Sequence, residues 1–328
     1  MTQRTLFLVN GHAQSAAAAR ARRVAAALGE QRTAVVCRTG GRGQDVFRFS
    51  STAMRGRFGA LYLMELAVVP VLAGTLTSRG RPVIVDTGDA PAAFLELISA
   101  GKGRILAARG LEALAYGRAD RIIVRSHFHE KALRERGYAR TATVPDGVDL
   151  GTFRPVDDRG LRGRLGLGDV VTVGIQGHFT WYPSLGGGLG VELVNALRLL
   201  PHLPVHGVLI GDGPGIPHLR VLAARQGVAD RLHVMGRVAY DELPRYLGLC
   251  DICLLTQTND PSSWVRTTGK LPGYLATGRY ILASRVGTAS TLLPEEMLID
   301  YHGVWDDDYP RRLAERIAAV VEDPGRRD

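Results

Sequence analysis

Short apolar runs alternate with stretches of helical periodicity along the first half of the chain. The predicted strands are TLFLVN, TAVVCR, PVIVDTGD and DRIIVRS, and the predicted helices are Ala16–Leu28 and Ile105–Gly117. A repeating order of strand, helix and strand predicts a doubly wound parallel sheet, because consecutive parallel strands need a crossover connection.

The same alternation restarts after a polar, irregular stretch near the middle of the chain. The strand VVTVGIQG leads to a predicted helix over Val191–Leu200, and further strand and helix units follow. The turn-rich segment Thr141–Pro155 before them predicts a domain boundary. We therefore predict an α/β fold of two Rossmann-like, doubly wound parallel-sheet domains, residues 1–155 and 156–328, that face each other across a cleft.

One apolar segment, Leu61–Leu76, is long enough to raise the question of a membrane. It contains Glu65 and Pro70 and is shorter than a bilayer span, so we predict a buried helix. Arg55 and Arg57 precede the segment and leave an interfacial role, and hence peripheral membrane contact, open.

The composition of the chain favours some kinds of binding partner over others. The 328 residues are 45% hydrophobic and 22% charged, and the net charge is +9. The basic residues are scattered along the chain as single arginines and are not collected into runs. This distribution favours anionic small molecules or a membrane surface over nucleic acid. The three cysteines include Cys250 and Cys253 inside an apolar run, which predicts buried core cysteines and fits a cytoplasmic protein. The arginine, alanine and glycine bias indicates a GC-rich bacterial genome.

Three motifs, in order, carry a resemblance to a known family. They are ADRIIVRS with VPDGVDLGTFRP, GDGP with DRLHVMGRV, and GKLPGYLATGRYILASRVG. The chain resembles the retaining family-4 glycosyltransferases of the GT-B class, which transfer a sugar from a nucleoside diphosphate. The resemblance implies a metal-independent enzyme with no cofactor besides its GDP- or UDP-linked sugar donor. The acceptor stays unknown, with envelope glycan, glycolipid and secondary metabolism all open.

The donor would bind to the second domain. A helix start at Lys270–Thr277 offers unpaired amides to a diphosphate, and Arg266 and Lys270 flank that start as candidate catalytic cations. The resemblance places the nucleotide base beside Arg237 and Val238. The remaining candidate donor-binding residues are Gly211, Asp212, Gly213, Thr267, Thr268 and Gly269. The alternatives are that GDGP is an ordinary turn, that Thr268 is a plain helix cap, and that the cations are solvated.

The chain departs from the family at two places. Val265 and Gly273 stand where family members carry two glutamates, and GHFTWYPSLGGGLG lacks the arginine and lysine expected after the first strand of the second domain. Either the donor is unusual, with Arg266, Lys270 and the threonines holding its phosphates, or the chain is a noncatalytic partner subunit. A nucleotide-sugar epimerase of the same fold is a third alternative.

Candidate acceptor-side residues follow strands of the first domain. His12 could accept a proton or neutralise phosphate, because imidazole titrates near neutrality. Asp86 and Asp89 could orient acceptor hydroxyls. His127 and His129 have a spacing that would suit a metal on a strand, but no further ligands are recognisable, so we predict structural roles and no metal site.

Overall fold

The structure is a computed structural model that describes residues 4–323 and Gly325. It divides into two compact units. The first contains the chain up to Asp146 together with Trp264–Thr267, and the second contains the rest. The division falls earlier than the boundary that we predicted after Pro155, because Val148 and Phe153 pack into the hydrophobic core of the second unit.

The first unit is built on a six-stranded parallel sheet with the strand order β2-β1-β3-β4-β5-β6. Its strands are β1 (Arg4–Val9), β2 (Thr33–Cys37), β3 (Phe58–Met64), β4 (Val83–Thr87), β5 (Arg121–Val124) and β6 (Thr141–Thr143). Side chains of β1 alternate between two cores: Leu6 and Leu8 belong to one, and Phe7 and Val9 to the other. Both faces of the sheet are therefore covered, as parallel sheets require.

Helices form a layer on each face of this sheet. They are α1 (Ala16–Leu28), α2 (Arg42–Arg55), α3 (Val68–Thr77), α4 (Pro91–Leu97), α5 (Lys102–Arg118) and α6 (His127–Glu135). Helices α2, α3 and α5 pack on the core that contains Leu6 and Leu8, whereas α1 packs on the opposite core.

The prediction of one buried helix over Leu61–Leu76 was wrong. Its first residues belong to β3, whose last four residues are buried, and the helix α3 begins only at Val68. A strand that is buried on both faces has no polar alternation, so its apolar run merges with that of the next helix. Glu65 separates the two elements with a left-handed φ of 70°.

The second unit has its own six-stranded parallel sheet, with the order β11-β10-β7-β12-β13-β14. The strands of this unit are β7 (Val171–Gln176), β8 (Trp181–Tyr182), β9 (Gly187–Gly188), β10 (Val205–Ile210), β11 (Leu232–Gly236), β12 (Ile252–Leu255), β13 (Tyr280–Ser284) and β14 (Leu298–Ile299). Strands β8 and β9 form an antiparallel pair outside the six-stranded sheet. The prediction of two doubly wound parallel sheets is confirmed.

Short helices flank the second sheet. They are α7 (Arg159–Arg164), α8 (Val191–Arg198), α9 (Ile216–Arg225), α10 (Leu243–Leu247), α11 (Pro261–Val265), α12 (Leu271–Ala276), α13 (Ala289–Leu292) and α14 (Tyr309–Glu322). Cys250 and Cys253 lie in the core of this unit, as predicted. Among the helices of the described part of the chain, none has the length and apolarity that crossing a membrane requires.

A buried carboxyl lies at the start of α8. The Tyr301 hydroxyl donates a hydrogen bond to the Glu192 carboxyl at 3.4 Å. Burial raises the pKa of the Glu192 carboxyl to about 7, and hydrogen bonds from the Glu192 backbone and from Tyr301 oppose the shift. The folded protein therefore holds a proton on Glu192 that the unfolded chain releases at lower pH.

This proton predicts how the stability of the second unit depends on pH. A group whose pKa is raised on folding stabilises fully below its unfolded pKa of about 4.5 and loses that contribution as the pH rises through 7. Between pH 5 and pH 8.5, the free energy of unfolding of Glu192→Gln should therefore rise by up to about 3 kcal/mol relative to that of wild type. Urea unfolding at the two pH values, with exposed Glu296→Gln as control, checks this; a parallel pH dependence of wild type and Glu192→Gln would contradict it.

Candidate functional site

Three loops meet at the carboxyl edge of the second sheet. The loop after β7 bonds to the turn after β10 through two backbone hydrogen bonds, Phe179 N to Asp212 O at 2.8 Å and Gly215 N to Phe179 O at 2.7 Å. The end of β11, from which the third loop starts, joins them, because Gly211 N donates to the carbonyl oxygen of Gly236 at 2.8 Å. The carboxyl edge is where open α/β sheets bind ligands, so we take these loops as the candidate donor site.

Glycine is required in the GDGP turn for packing. A Cβ on residue 211 would lie 1.9 Å from the carbonyl oxygen of Gly177, and one on residue 213 would lie 2.3 Å from that of Phe179. Both glycines also have positive φ, 138° and 144°. The turn thus has a structural reason for its glycines, whether or not it binds phosphate. The exposed Asp212 carboxylate lies 3.4 Å from Nδ1 of His178.

Lys270 brings a cation to this edge. A Cβ on Gly177 would lie 3.0 Å from Cε and 3.3 Å from Nζ of Lys270, so the ammonium group lies beside the backbone of the loop after β7. This is the loop that lacks the arginine and lysine implied by the family resemblance. Lys270, the residue before α12, therefore places a positive charge beside the loop after β7, which has no lysine or arginine of its own.

The residues before α12 differ from the prediction of a capped helix start. The helix has six residues, Leu271–Ala276, and Lys270 rather than Thr268 is its cap, without a side-chain hydrogen bond. Thr268 lies two residues before this cap, and its carbonyl oxygen accepts a hydrogen bond from Leu271 N at 3.2 Å. Thr268 is therefore not an N-cap, and the alternative that it serves as one was wrong. Gly269 is exposed beside it.

The loop after β11 contains the residues predicted to contact a nucleotide base. Gly236 turns the chain with a φ of 72°, which is left-handed and suits glycine. Val238 packs against the hydrophobic core, while Arg237 is exposed. The predicted base site is thus adjacent to the GDGP turn, and its role stays a prediction.

The two positions where the resemblance implies glutamates, residues 265 and 273, are both closely packed. A Cβ on Gly273 would approach Cε1 of Phe153 to 3.3 Å, so α12 lies close against this aromatic ring. A longer side chain at residue 273 would require Phe153 to move. Val265 is also buried, and its carbonyl oxygen accepts a hydrogen bond from the Ser126 hydroxyl at 2.7 Å.

The segment Trp264–Thr267 is held on the first unit, although it comes from the second half of the sequence. Trp264 packs its ring edge-on against Phe128 with the centroids 5.0 Å apart. The Thr267 hydroxyl donates to the carbonyl oxygen of Arg125 at 3.1 Å, and the Ser126 hydroxyl holds Val265. Thr267, predicted as a donor ligand, therefore has its hydroxyl bonded to the backbone of the first unit.

Arg266 and Asp89, two predicted site residues separated by 177 positions, form an ion pair. Nε of Arg266 lies 2.9 Å from Oδ1 of Asp89, and the guanidinium group stacks over Phe94 at 5.3 Å from the ring centroid. The two side chains are partly exposed, so the pair contributes little to stability. The pair joins the loop after β4 to the segment Trp264–Thr267.

Asp86 is not available to an acceptor, contrary to our hypothesis. Its carboxylate is fully buried, accepts from Arg20 at 3.0 Å and accepts from the Tyr62 hydroxyl at 2.7 Å. Arg20 also binds Asp146 at 3.0 Å. The Asp146 carboxylate therefore balances a buried arginine.

A second arginine completes this buried cluster. Arg125 pairs with Glu65 and lies 3.7 Å from Oδ2 of Asp146. Burial lowers the pKa of Arg125, but the carboxylates of Glu65, Asp146 and Asp86 outweigh it and raise the pKa above its usual value. The arginine stays charged. Sequence analysis missed Arg20 and Arg125, since only their distance to Asp86 and Asp146 in the fold marks them.

The histidines occupy three different environments. His12 is exposed in the loop after β1, where its carbonyl oxygen accepts from Ser15 N at 2.9 Å. His127 and His129 lie in the first turn of α6 and not on a strand, so the spacing argument for a metal does not apply. Burial lowers the pKa of His129 to about 4, which keeps it neutral. Within the described residues, no group of three or more His, Cys, Asp or Glu side chains could hold a metal ion.

The two parallel sheets with flanking helices define a GT-B fold. A structure of Anabaena Alr3699/HepE in complex with UDP-glucose is similar with a TM-score of 0.79 and 20% identity, covering 98% of this chain and 91% of that one. Sucrose-phosphate synthase from Thermosynechococcus elongatus gives a TM-score of 0.75 at 18% identity, covering 99% and 91%. At these identities the likeness shows the fold alone.

Residues 183–323 match the family model described as Glycosyl transferases group 1. The chain therefore has a GT-B fold, and its residues 183–323 are similar to the group 1 glycosyltransferases.

Two curated relatives give partial matches. Over 114 residues the chain is 36% identical to a GDP-mannose-dependent alpha-(1-6)-phosphatidylinositol monomannoside mannosyltransferase of Mycobacterium tuberculosis, covering 33% of this chain and 28% of the relative. Over 281 residues it is 25% identical to the D-inositol 3-phosphate glycosyltransferase of Segniliparus rotundus, covering 83% and 58%. The chain thus spans less than two thirds of the length of either relative.

Ser126 provides a test of how the segment Trp264–Thr267 is held. Its hydroxyl accepts from His129 N at 3.1 Å as the cap of α6 and also donates to Val265 O. Ser15 caps α1 in the same unit, accepting from Ala18 N at 3.2 Å. We expect Ser126→Ala to lower the free energy of unfolding of this unit by about 2 to 3 kcal/mol and Ser15→Ala by about 1 kcal/mol.

Urea unfolding of the two alanine variants measures this difference, and hydrogen exchange at residues 264–267 shows where it arises. Exchange in this segment should rise in Ser126→Ala and stay unchanged in Ser15→Ala. Equal losses of stability, with unchanged exchange in both variants, would contradict the role of Ser126.

Proposed function

We propose that this protein is a glycosyltransferase that takes its sugar from a nucleoside-diphosphate donor bound by the second unit. The observation that carries the proposal is the position of Lys270, whose ammonium group lies beside Gly177 at the carboxyl edge of the second sheet. The group 1 glycosyltransferase domain at residues 183–323 includes Lys270, the GDGP turn and the loop after β11. These are the parts that a donor site of this fold needs.

The donor is proposed to be a GDP- or UDP-linked sugar. The relative from Mycobacterium tuberculosis is GDP-mannose-dependent by name, and the Anabaena protein is in complex with UDP-glucose. In this chain the base would lie against Arg237 and Val238, and the diphosphate beside Lys270 and Thr268. The ribose would lack a carboxylate partner at residue 273, since glycine stands there.

The chemistry would be electrostatic. A departing diphosphate gains negative charge, and a positioned ammonium group lowers the free energy of that state more than that of the intact donor. Alignment of the acceptor supplies the rest of the rate enhancement. As the family resemblance implies, transfer would retain the anomeric configuration without a metal, and the leaving phosphate would accept the proton of the acceptor.

Arg266 stays a predicted phosphate ligand with a competing partner. Its guanidinium group is bound to Asp89 in the first unit, so a phosphate would have to displace this carboxylate. Asp89 and His12 are proposed for the acceptor side, because both follow strands at the carboxyl edge of the first sheet. Inositol-containing acceptors are the first to test, since the names of both relatives include an inositol compound.

Lys270→Met tests the donor site by isothermal titration calorimetry against GDP, UDP and their sugar conjugates. The substitution keeps the aliphatic stem and removes the charge. We expect saturable binding of wild type to at least one ligand, weakened about ten- to a hundredfold in the variant, because one charged hydrogen bond contributes about 1.5 to 3 kcal/mol. The control is Lys131→Met, an exposed lysine on α6.

The outcomes separate the proposal from its alternatives. If wild type binds none of the nucleotides, a noncatalytic partner subunit is the better account and the proposed function is rejected. Equal affinities of wild type and Lys270→Met would reject the phosphate assignment while keeping nucleotide binding.

A further inference from the structure

The solvent-facing side of α3 is apolar. Of the ten residues in this helix, the exposed ones are Val68, Leu72 and Leu76, spaced four apart along one face. Leu76 is 70% exposed. A surface helix ordinarily presents polar residues to water, so a stripe of three aliphatic side chains indicates a surface that is covered during function.

Neighbouring helices widen this stripe. Helices α2 and α5 pack on the same face of the sheet as α3, and each contacts it. On α2, Phe47 is 73% exposed and Met54 is 49% exposed, and on α5, Leu106 is 71% exposed. Nη2 of Arg79, just after α3, lies 3.9 Å from Sδ of Met54, which places the ends of α2 and α3 side by side. We call the outer side of these three helices the α2–α3–α5 face.

The exposed charged residues of this face are all positively charged. Its exposed charged residues are Arg42, Arg55, Lys102, Arg104, Arg109 and Arg118. Within the three helices, all of whose residues the structure describes, the acidic residues are Asp45 and Glu112, which are 1% and 3% exposed. Arg109 pairs with Glu96 of α4, outside the face. The exposed charged residues of these three helices are therefore all cations, and no carboxylate of the same helices is exposed.

Exposed apolar side chains on one helix, with exposed cations on the two helices that contact it, match the surface of an anionic bilayer. Aliphatic and aromatic groups insert at the boundary between headgroups and acyl chains, while arginine and lysine bind the anionic headgroups. Two copies of the chain that paired through this face would bring arginines of one copy against those of the other, because a twofold interface uses the same surface twice. The charge thus favours lipid over self-association.

We propose that the α2–α3–α5 face docks on the surface of anionic membranes, with Leu72 and Leu76 inserted and α3 parallel to the bilayer. From Val68 to Leu76 the stripe is about 12 Å long, at about 1.5 Å per residue. The proposal concerns binding to lipid and requires neither the donor nor the acceptor of the proposed reaction. Its failure would leave the proposed function untouched.

Vesicle flotation tests the proposal with the full chain. Vesicles of phosphatidylcholine alone are compared with vesicles that contain phosphatidylglycerol, at low and high salt. We expect the protein to float with the anionic vesicles, to bind the zwitterionic ones at least about tenfold more weakly, and to lose binding as salt screens the headgroup charge.

Paired variants separate the apolar and the charged contribution. Leu72→Gln with Leu76→Gln should weaken binding to anionic vesicles about tenfold or more, because it removes the inserted side chains. Arg55→Gln with Arg104→Gln should weaken binding about fivefold for each cation removed. The controls replace exposed residues of the second unit: Val221→Gln with Leu292→Gln, and Arg220→Gln with Arg225→Gln.

The proposal is supported if both test variants lose binding and both controls keep it, with thermal unfolding unchanged in all four. It is overturned if wild type floats with neither vesicle, if it binds both kinds equally, or if the leucine variant binds as wild type does. A concentration-dependent dimer that the leucine variant abolishes, without vesicle binding, would also overturn it and identify a second copy as the occupant.

Discussion

The close approach of two backbone segments at the carboxyl edge of the second sheet constrains the rest of the candidate donor site. The carbonyl oxygen of Gly177 occupies the space that a side chain at residue 211 would need. The same holds for Phe179 and residue 213. Because only glycine allows this contact with the observed φ angles, the loop after β7 and the turn after β10 are locked together. A ligand at this edge meets a preformed surface.

The locked loops also explain the importance of Lys270. The loop after β7 carries no lysine or arginine between Gly177 and Gly190. The positive charge beside Gly177 comes instead from Lys270, the residue before α12. Gly273, in the helix that follows Lys270, packs on Phe153.

The first unit uses its charges mainly for structure. Asp86, Arg20, Arg125 and Asp146 form a buried cluster of ion pairs, and removal of one member would leave an incompletely paired buried charge. Next to this cluster, the exposed pair of Asp89 and Arg266 can exchange partners at smaller cost. This difference in burial is why Asp89, and not Asp86, stays a candidate for ligand binding.

The sequence predicted the parallel sheets because buried strands and amphipathic helices alternate with clear turns. It did not reveal β3, whose apolar run continues into α3 without a change of composition. It indicated Arg266 and Asp89 separately, but their pairing depends on a contact across 177 positions. The buried cluster was likewise invisible, since Arg20 and Asp86 have no local pattern and meet only through the fold.

The most direct test of the central claim is release of nucleotide from a panel of donors, GDP- and UDP-linked sugars, with and without inositol-containing acceptors. We expect that nucleotide release from at least one donor depends on an acceptor, and that a glycosylated product forms in equal amount. No release from any donor under any condition, or interconversion of the donor sugar without an acceptor, would contradict it.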